Sequence, residues 1–327
     1  MYHKELEVGI EVMRQAGQMT EHIRATSGRP QALHKADDSP VTIADFAVQA
    51  LICHVLNTEF PDDAIVAEED ADTLRSPEMA SVLAQVTGQL LPHLPHAEGH
   101  RVCDWIDLGN STPQGRFWVL DPVDGTRGFV RGNQYALALA LIDNGRIVLG
   151  FLACPALGLQ FEGLPGQLFY AVRGGGAFVI AQDSSSAIKL ELTEDIEPEQ
   201  YRLLESVETD HNDRQRQESI ARSLGMILSP LHVDSQAKYT LLAAGKGVLY
   251  LRLPPQRTPA HREKIWDHAA GVLIVEEAGG RVTDLNGLPL DFSVGVELAA
   301  NRGIVAGVTS VHKQAIRALS IDGEQSD

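Results

Sequence analysis

The chain has 327 residues, of which 44% are hydrophobic and 22% carry a charge, proportions that are typical of a globular protein with a large buried core. Its formal net charge of -17 at pH 7 repels polyanions, which excludes a nucleic acid polymer as partner unless a strong basic patch is present, and the sequence contains none. A small phosphorylated ligand remains compatible with this charge, because divalent cations bound at a site supply positive charge locally.

The cysteines are few and far apart in the sequence. Cys53, Cys103 and Cys154 form no CxxC pair, so they favour a reducing compartment over a disulfide framework or a zinc site. The first residues, MYHKELE, are charged, and no apolar run is long enough to span a bilayer. We therefore expect a cytoplasmic protein with no membrane partner, and the sequence leaves its oligomeric state open.

The first part of the chain combines helical and strand patterns. Periodicity predicts, in chain order, a helix over 4–26, a helix over 46–56, a strand over 63–67, a helix over 77–91, and strands over 117–120, 135–142, 146–153, 167–172 and 177–180. Asn144-Gly145 lies between two of these strands and predicts a tight hairpin turn, and the glycines at 174–176 predict a second hairpin. Antiparallel strands therefore dominate the middle of the chain.

The second half alternates strand and helix. The pattern predicts strands over 203–207, 231–233, 248–251, 281–283 and 304–308, with helices over 214–224, 235–244 and 267–278 and a last helix after 308. This order is typical of an α/β domain with a largely parallel sheet. The polar and acidic stretch at 182–200 is the best boundary candidate, so we expect an α+β domain with an antiparallel sheet over 1–198 and an α/β domain over 199–327.

One strand pattern ends abruptly in two carboxylates, in the sequence FWVLDPVDGT at 117–126. Asp121 and Asp124 lie on either side of Pro122, which stiffens the backbone, so both carboxylates and the Val123 carbonyl can reach one small volume. Hard oxygen ligands are what Mg²⁺ prefers, and hydrolysis of a phosphate monoester needs cations on the phosphoryl oxygens. The stretch therefore suggests a metal and phosphate site.

The two residues that follow extend this hypothesis. Gly125 and Thr126 are predicted to open a helical turn whose free N–H groups face an anion. The alternative is an acidic β-turn with proline at its second position, which is a common surface feature. The stretch alone does not decide between the two.

Three further acids lie at the ends of predicted elements, and each has an ordinary structural explanation. Asp45 follows Thr42 by three residues, as in a capping box, although in the first turn of a helix it could also serve as a base toward a water. Glu68 belongs to an acidic triplet after a strand, which alone indicates a solvated charge run. Asp267 lies where a helix is predicted to begin, and an acid there interacts favourably with the helix dipole.

Together these stretches resemble the lithium-sensitive, magnesium-dependent phosphatase superfamily that includes inositol monophosphatase. The shared pattern is carried by VAEED at 66–70, WVLDPVDGT at 118–126 and WDHAAG at 266–271. Within the superfamily the chain is most similar to the 3'(2'),5'-bisphosphate nucleotidase family, through SPVT at 39–42, TRGFVRG at 126–132, DSQAKY at 234–239 and EKIWDH at 263–268. The resemblance covers nearly the whole chain and implies a layered αβαβα sandwich.

The resemblance implies a metal site whose ligands come mainly from the first domain, with Asp267 from the second. Up to three Mg²⁺ would be held by Glu68, Asp121, the Val123 carbonyl, Asp124 and Asp267. It further implies that Asp45 and Thr126 orient and deprotonate the attacking water, while the amides of Gly125 and Thr126 bind the phosphate oxygens. In such hydrolysis one cation lowers the pKa of its water and another stabilises the departing oxygen.

The resemblance also implies a nucleotide substrate bound by the second domain. His211 and Ser235 would lie near the adenosine, and Lys238 and Arg252 would pair with its second phosphate. The implied reaction removes the 3'-phosphate of 3'-phosphoadenosine 5'-phosphate to give AMP, with 3'-phosphoadenosine 5'-phosphosulfate as a second substrate. A place in sulfur metabolism and inhibition by lithium are further expectations from the resemblance.

Two alternatives remain open from the sequence. An inositol polyphosphate 1-phosphatase or an inositol monophosphatase would use the same chemistry, and Lys238 and Arg252 separate a nucleotide from an inositol bisphosphate only weakly. A non-catalytic sensor of adenosine bisphosphate is the alternative of another class. The complete set of acids disfavours the sensor, because such a protein would be free to lose Asp45 or Asp121.

Overall fold

The computed structural model describes residues 2–27, 32–34, 40–159, 167–181, 184, 186–207, 213–254 and 262–324. The helices are α1 (His3–Ser27), α2 (Ile43–Glu59), α3 (Ala80–Leu90), α4 (Gly99–Asp107), α5 (Thr126–Arg131), α6 (Arg214–Ser223), α7 (Ala237–Ala243), α8 (Ala269–Glu277) and α9 (Thr309–Glu324). The strands are β1 (Leu33–His34), β2 (Pro40–Val41), β3 (Ala64–Ala67), β4 (Arg116–Asp124), β5 (Ala136–Asp143), β6 (Arg146–Cys154), β7 (Gln167–Val172), β8 (Gly176–Ala181), β9 (Ala187–Leu190), β10 (Leu203–Glu205), β11 (Leu231–His232), β12 (Leu249–Arg252), β13 (Arg281–Thr283) and β14 (Ile304–Gly307). Within these described residues, no helix is long and apolar enough to cross a membrane.

The first large sheet is built almost entirely from antiparallel neighbours. Among the described residues it has seven strands in the order β3-β4-β5-β6-β7-β8-β9, and only the β3–β4 pair is parallel. At the β5–β6 turn, Asn144 and Gly145 have φ of 51° and 75°, the left-handed values that a tight primed turn requires. Both predicted hairpins are confirmed.

The second large sheet mixes parallel and antiparallel pairs. In the described part of the chain it has five strands in the order β11-β10-β12-β14-β13, and β10 is parallel to both of its neighbours. The strand β14 is antiparallel to both β12 and β13, so the expectation of a largely parallel sheet is wrong for this half. The cause is the helix-free connection between β13 and β14, because a strand can return parallel only through a crossover.

Helices and sheets alternate in five layers. Inward-facing residues of β4 such as Trp118 pack against α1 and α2, while their neighbours such as Phe117 face α7, α8 and the second sheet. The outer face of the second sheet packs on α6 and α9. The order α1/α2, first sheet, α7/α8, second sheet, α6/α9 confirms the predicted αβαβα sandwich. The division into domains at 198/199 lies between the two sheets and stays a prediction.

Among the helices of eight or more residues in the described part of the chain, α4 is the one that periodicity did not predict. It begins at Gly99, and its N-cap residue, Glu98, makes no capping hydrogen bond through its side chain. A helix that starts with glycine and without a capping side chain lacks the usual start signals. Its C-terminal turn nevertheless lies beside the candidate site, as the contacts below show.

Candidate functional site

The site is built on the carboxyl ends of the two parallel strands, β3 and β4. Their register pairs Ala67 with Leu120, so Glu68 and Asp121 follow on adjacent strands at the same edge of the sheet. Asp121 is 2% exposed, and Glu68 is half-buried. The two acids that the sequence places 53 positions apart are therefore neighbours because of parallel pairing.

A β-bulge brings Asp124 to the same side as Asp121. Asp121 pairs with Ala138 and Asp124 pairs with Ala136, so two residues of β4 face a single residue of β5 between them. Side chains three positions apart in a regular strand point to opposite faces, and the extra residue of a bulge reverses this. The bulge contains Pro122, which lacks a backbone N–H and suits such a position.

The chain then turns directly into α5. Gly125 has a φ of 83°, which is left-handed and accessible to glycine, and a Cβ at this position would lie 3.0 Å from the Cβ of Ser235. The first helical residue is Thr126, as predicted. Its hydroxyl lies 3.3 Å from Oδ1 of Asp45 and 3.1 Å from the carbonyl oxygen of Val123. The geometry of each contact allows the hydroxyl to donate a hydrogen bond.

Asp45 makes the contacts of a helix cap and also contacts a predicted site residue, the two roles between which the sequence did not decide. It is fully buried at the start of α2, and the Thr42 backbone N–H and hydroxyl donate to its Oδ2 at 2.8 and 2.7 Å. The predicted capping box is therefore confirmed. Its other oxygen, Oδ1, is directed to Thr126, so one carboxylate joins the start of α2 to the start of α5.

Asp267 comes from the other large layer and lies in the turn before α8, two residues earlier than the helix itself. The helix packs closely on β6, since a Cβ at Gly150 would lie 2.9 Å from the Ala270 carbonyl oxygen. Gln236 connects this turn to β4: its backbone N–H donates to Oδ2 of Asp124 at 2.6 Å, and its side-chain Nε2 donates to the carbonyl of Trp266 at 2.9 Å. The loop before α7 therefore holds Asp124 and Asp267 together.

The electrostatics of these acids are those of a cation site. Burial and then the neighbouring carboxylates, Glu68 first, raise the pKa of Asp121 well above its usual range. Burial likewise raises the pKa of Asp124 and the pKa of Asp267, the second helped by the charge of Asp124. Crowded buried carboxylates disfavour their own ionised forms unless positive charge lies between them.

The donor set fits Mg²⁺. Oδ1 of Asp121 is buried and has no hydrogen-bond partner among the described residues, which is unusual for a carboxylate oxygen in a protein interior. All the predicted ligands offer hard oxygen atoms. In the described part of the chain no three of the acids Glu68, Asp121, Asp124 and Asp267 bring their oxygen atoms within 4.8 Å of one another, and three of them, Glu68, Asp124 and Asp267, line one cavity.

A tighter trio lies beside this set and is unsuited to a metal ion. Glu263, Asp267 and His268 bring ligand atoms within 4.8 Å of one another. However, Oε2 of Glu263 lies 2.7 Å from Nε of Arg252 and 3.3 Å from Nε2 of His268, so its negative charge is already compensated by a guanidinium. His268 also contacts the Tyr239 hydroxyl through Nδ1 at 2.8 Å.

Two cations, the buried Lys238 and the half-buried Arg252, line the opposite wall. The Lys238 ammonium donates to the carbonyls of Ser235 and Val233 at 2.7 and 3.2 Å and lies 5.4 Å from the ring centre of Tyr250. Burial lowers the pKa of Lys238 to about 8; the charge of Asp124 works in the opposite direction, and the charge of Arg252 lowers it further. Two neighbouring cations that repel each other make a favourable place for an anion.

A cavity of about 510 Å³ joins these groups. The predicted site residues that line it are Glu68, Asp124, Gly125, Thr126, Ser235, Lys238, Arg252 and Asp267. Asp121, Val123 and Asp45 are buried and do not line it, and the Thr126 hydroxyl contacts both Asp45 and the Val123 carbonyl. Ser235 adopts a left-handed φ of 65°, which is rare for a residue with a side chain and marks a constrained loop. His211 lies outside the described residues.

Two buried glutamines were missed by the sequence analysis. Gln49 and Gln236 are 0% and 3% exposed, and both bond to backbone groups that flank predicted metal ligands. The only sequence signal is that Gln49 follows Asp45 by four positions and so lies on the same face of α2. Nothing in the sequence identifies their backbone partners.

Comparisons with known proteins agree with this geometry. The model of the inositol monophosphatase family matches residues 2–321. A Candida albicans protein named 3'(2'),5'-bisphosphate nucleotidase 1 is 37% identical over 98% of this chain and 95% of its own length. A rice protein named 3'(2'),5'-bisphosphate nucleotidase is 44% identical over 83% of this chain and 81% of its own length.

Solved structures support the fold. The inositol monophosphatase of Thermotoga maritima matches with a TM-score of 0.67 at 20% identity, covering 98% of this chain and 99% of that one. CysQ from Bacteroides thetaiotaomicron matches with a TM-score of 0.61 at 19% identity, covering 94% and 98%. The resemblance drawn from the motifs is therefore confirmed, and the chain belongs to the inositol monophosphatase family.

Proposed function

We propose that this protein hydrolyses the 3'-phosphate of 3'-phosphoadenosine 5'-phosphate to AMP and phosphate, with the sulfated analogue 3'-phosphoadenosine 5'-phosphosulfate as a second substrate. The observation that carries the proposal is a single cavity with crowded carboxylates on one side and the paired cations Lys238 and Arg252 on the other. The names of the relatives support the choice of nucleotide. We expect the reaction to take place in the cytoplasm.

The carboxylate side would hold up to three Mg²⁺ through Glu68, Asp121, the Val123 carbonyl, Asp124 and Asp267. When bound, the cations would acidify a water and stabilise negative charge on the phosphoryl and leaving oxygens. The protein supplies the positions of these ligands, since β3, the β4 bulge and the turn before α8 each fix one part of the set.

Asp45 and Thr126 provide the groups that handle the proton of the attacking water. The Thr126 hydroxyl has one proton, which it directs to Asp45 or Val123, so its lone pairs remain available to accept a hydrogen bond from water. Oδ1 of Asp45 can then receive the proton through the hydroxyl, in the manner of a general base held by a capping box. The amides of Gly125 and Thr126, at the start of α5, would bind phosphate oxygens.

The cationic side would bind the second phosphate. Lys238 and Arg252 lie close enough that the charge of Arg252 lowers the pKa of Lys238. A phosphate dianion between them would relieve this repulsion and raise the protonated fraction of the lysine at neutral pH. Ser235 lies between this pair and Gly125, where it would contact the nucleoside, and His211 is proposed for the same role.

The experiment that tests this proposal is phosphate release from 3'-phosphoadenosine 5'-phosphate by the purified chain, with Mg²⁺ and with a chelator. Wild type should turn over only with Mg²⁺, and Asp121→Asn should lose activity while remaining folded. Tight nucleotide binding without phosphate release would favour the sensor instead. Full activity in folded Asp121→Asn would refute the metal mechanism.

A further inference from the structure

Gln49 binds the backbone of the residue that follows a predicted metal ligand. Its side chain is fully buried on α2, and its Nε2 donates to the carbonyl of Glu69 at 2.5 Å and to that of Ile106 at 3.0 Å. Its Oε1 accepts the backbone N–H of Glu69 at 3.0 Å. One amide side chain therefore satisfies both backbone polar groups of Glu69.

This contact restrains the backbone from which the side chain of Glu68 projects. The peptide group between Glu68 and Glu69 is planar, so holding the Glu69 N–H also holds the carbonyl of Glu68 and the torsion from which its side chain projects. The strand β3 ends at Ala67, one residue before this point, so the sheet no longer positions the chain there. Beyond the end of β3, the hydrogen bonds of Gln49 hold the backbone in place of those of the sheet.

The surrounding contacts leave the amide little freedom. A Cβ at Gly109 would lie 2.8 Å from Nε2 of Gln49 and 2.7 Å from the Cβ of Ala67, so the turn after α4 packs tightly on both. Further along, Oδ1 of Asp107 accepts the backbone N–H of Ala71 at 2.9 Å. The segment 67–71 is thus held from α2 at one point and from the end of α4 at two others.

The placement of Gln49 on α2 couples this segment to the other half of the site. Asp45 lies one helical turn earlier on the same face, so one rigid helix positions both the proposed base and the backbone beside Glu68. We propose that Gln49 is a positioning residue that orients Glu68 for cation binding. This inference rests on the proposed function, because it takes Glu68 to be a ligand of Mg²⁺.

The test compares Gln49→Met and Gln49→Glu with a matched control, Asn301→Leu. Asn301 is also a buried amide, and it also makes three hydrogen bonds: it donates to Asp284 and to the Pro289 carbonyl and accepts from the N–H of Asp291. All its partners lie within the 284–291 loop and none lines the cavity. Asn301→Leu therefore removes a buried, hydrogen-bonded amide, as Gln49→Met does, but leaves the surroundings of Glu68 unchanged.

The first measurement is calorimetric titration of each protein with Mg²⁺ in the absence of substrate. We expect both Gln49 variants to raise the Mg²⁺ Kd by about tenfold or more, as loss of an outer contact to a metal ligand does elsewhere, and Asn301→Leu to leave it within about twofold. Amide hydrogen exchange of residues 67–71 should be faster in Gln49→Met than in Asn301→Leu. At saturating Mg²⁺ the KM for the nucleotide should be unchanged.

The outcomes separate this inference from the function on which it rests. Mg²⁺ affinity equal to wild type in both Gln49 variants would overturn it and leave Gln49 a packing residue. If Gln49→Met does not fold, Gln49→Glu decides alone, because it keeps the volume and replaces the donor that faces two carbonyls. Wild type that binds no Mg²⁺ would instead refute the metal site, and the inference with it.

Discussion

The hydroxyl of Thr126 lies 3.3 Å from Oδ1 of Asp45, although the two residues are 81 positions apart in the sequence. Because Oδ2 of Asp45 accepts both Thr42 capping hydrogen bonds, Oδ1 is the oxygen that faces Thr126, and Thr126 itself lines the cavity. The start of α2 and the start of α5 are thus joined through a single carboxylate.

Replacing Thr126 tests this relationship. Thr126→Val keeps the volume and removes the hydroxyl, so we expect kcat for the nucleotide to fall by about 100-fold, as for loss of a general base contact, with little change in KM. Thr126→Ser keeps the hydroxyl and should retain most of the activity. Steady-state kinetics at saturating Mg²⁺ measure both, and a Thr126→Val enzyme with normal kcat would exclude the hydroxyl from the reaction.

Asp121→Asn should lower the activity without lowering the stability of the protein in the absence of Mg²⁺. Burial and neighbouring negative charges raise the pKa of Asp121, so its ionised form destabilises the folded state when no cation is bound. This loss of stability grows as the pH rises above about 4, the pKa of an aspartate in the unfolded chain. Without Mg²⁺, the variant should therefore be at least as stable as wild type at pH 7, and its stability should fall less with rising pH.

With added Mg²⁺, wild type should instead be more stable than Asp121→Asn. Wild type should gain about 2.7 kcal/mol of unfolding free energy at 100 times the Mg²⁺ Kd, and Asp121→Asn much less. The same change should lower kcat/KM by about 1000-fold, the equivalent of roughly 4 kcal/mol of transition-state charge stabilisation. Denaturant unfolding with and without Mg²⁺ provides the check, and equal stabilisation of both proteins would place the cation elsewhere.

Gly128 allows close contact between α5 and the loop before α7. A Cβ there would lie 2.2 Å from the Gln134 carbonyl oxygen and 2.7 Å from Oδ2 of Asp234. Gly128→Ala should cost about 3 kcal/mol of unfolding free energy by overpacking, and it should reduce kcat because α5 begins with Thr126. Gly132→Ala is the control: its φ is 80°, but no atom of the described residues lies within 4 Å of the new methyl group, so it should cost about 1 kcal/mol and leave kcat unchanged. Equal losses from the two changes would argue against close packing at Gly128.

His312 should make the protein less stable in mild acid. It is buried with Nε2 2.9 Å from the Thr283 hydroxyl, and burial, with Arg281 and Lys313 nearby, lowers the pKa of His312 to about 4. The unfolded chain, with a histidine pKa of about 6.5, binds the proton more readily, so stability is lost as pH falls from about 6.5 to 4.

The effect of His312 is expected to be about 1 to 2 kcal/mol across that interval. A His312→Phe variant should lose this part of the pH dependence, whereas His3→Asn, at an exposed position, should keep it. Urea unfolding at several pH values measures the slopes, and identical slopes in wild type and His312→Phe would contradict the assignment.

The sequence predicted most helices and strands better than it predicted their arrangement. Periodicity located β3 to β8, β10 to β14 and the Asn144 turn, because these depend on local sequence, but it did not predict β1, β2 or β9. The position of β14 between β12 and β13 was not predictable, since it depends on how α8 packs on the first sheet.

The candidate site shows the same limit. Each acid alone had an adequate structural explanation, and it was the resemblance that grouped them. The bulge that turns Asp121 and Asp124 to one side is set by pairing with β5, and the partners of Gln49 are backbone groups 20 and 57 positions away. Contacts between a side chain and a distant backbone leave no pattern that one sequence can reveal.

The substrate of the cavity is identified by measuring kcat/KM for phosphate release with Mg²⁺ from 3'-phosphoadenosine 5'-phosphate, inositol 1-phosphate and inositol 1,4-bisphosphate at matched low concentrations. We expect a large preference for the nucleotide, and in Lys238→Ala a KM that rises far more for the nucleotide than for a simple phosphate ester. A preference for either inositol phosphate would contradict the nucleotide assignment of Ser235, Lys238, Arg252 and His211, while leaving the carboxylate site intact.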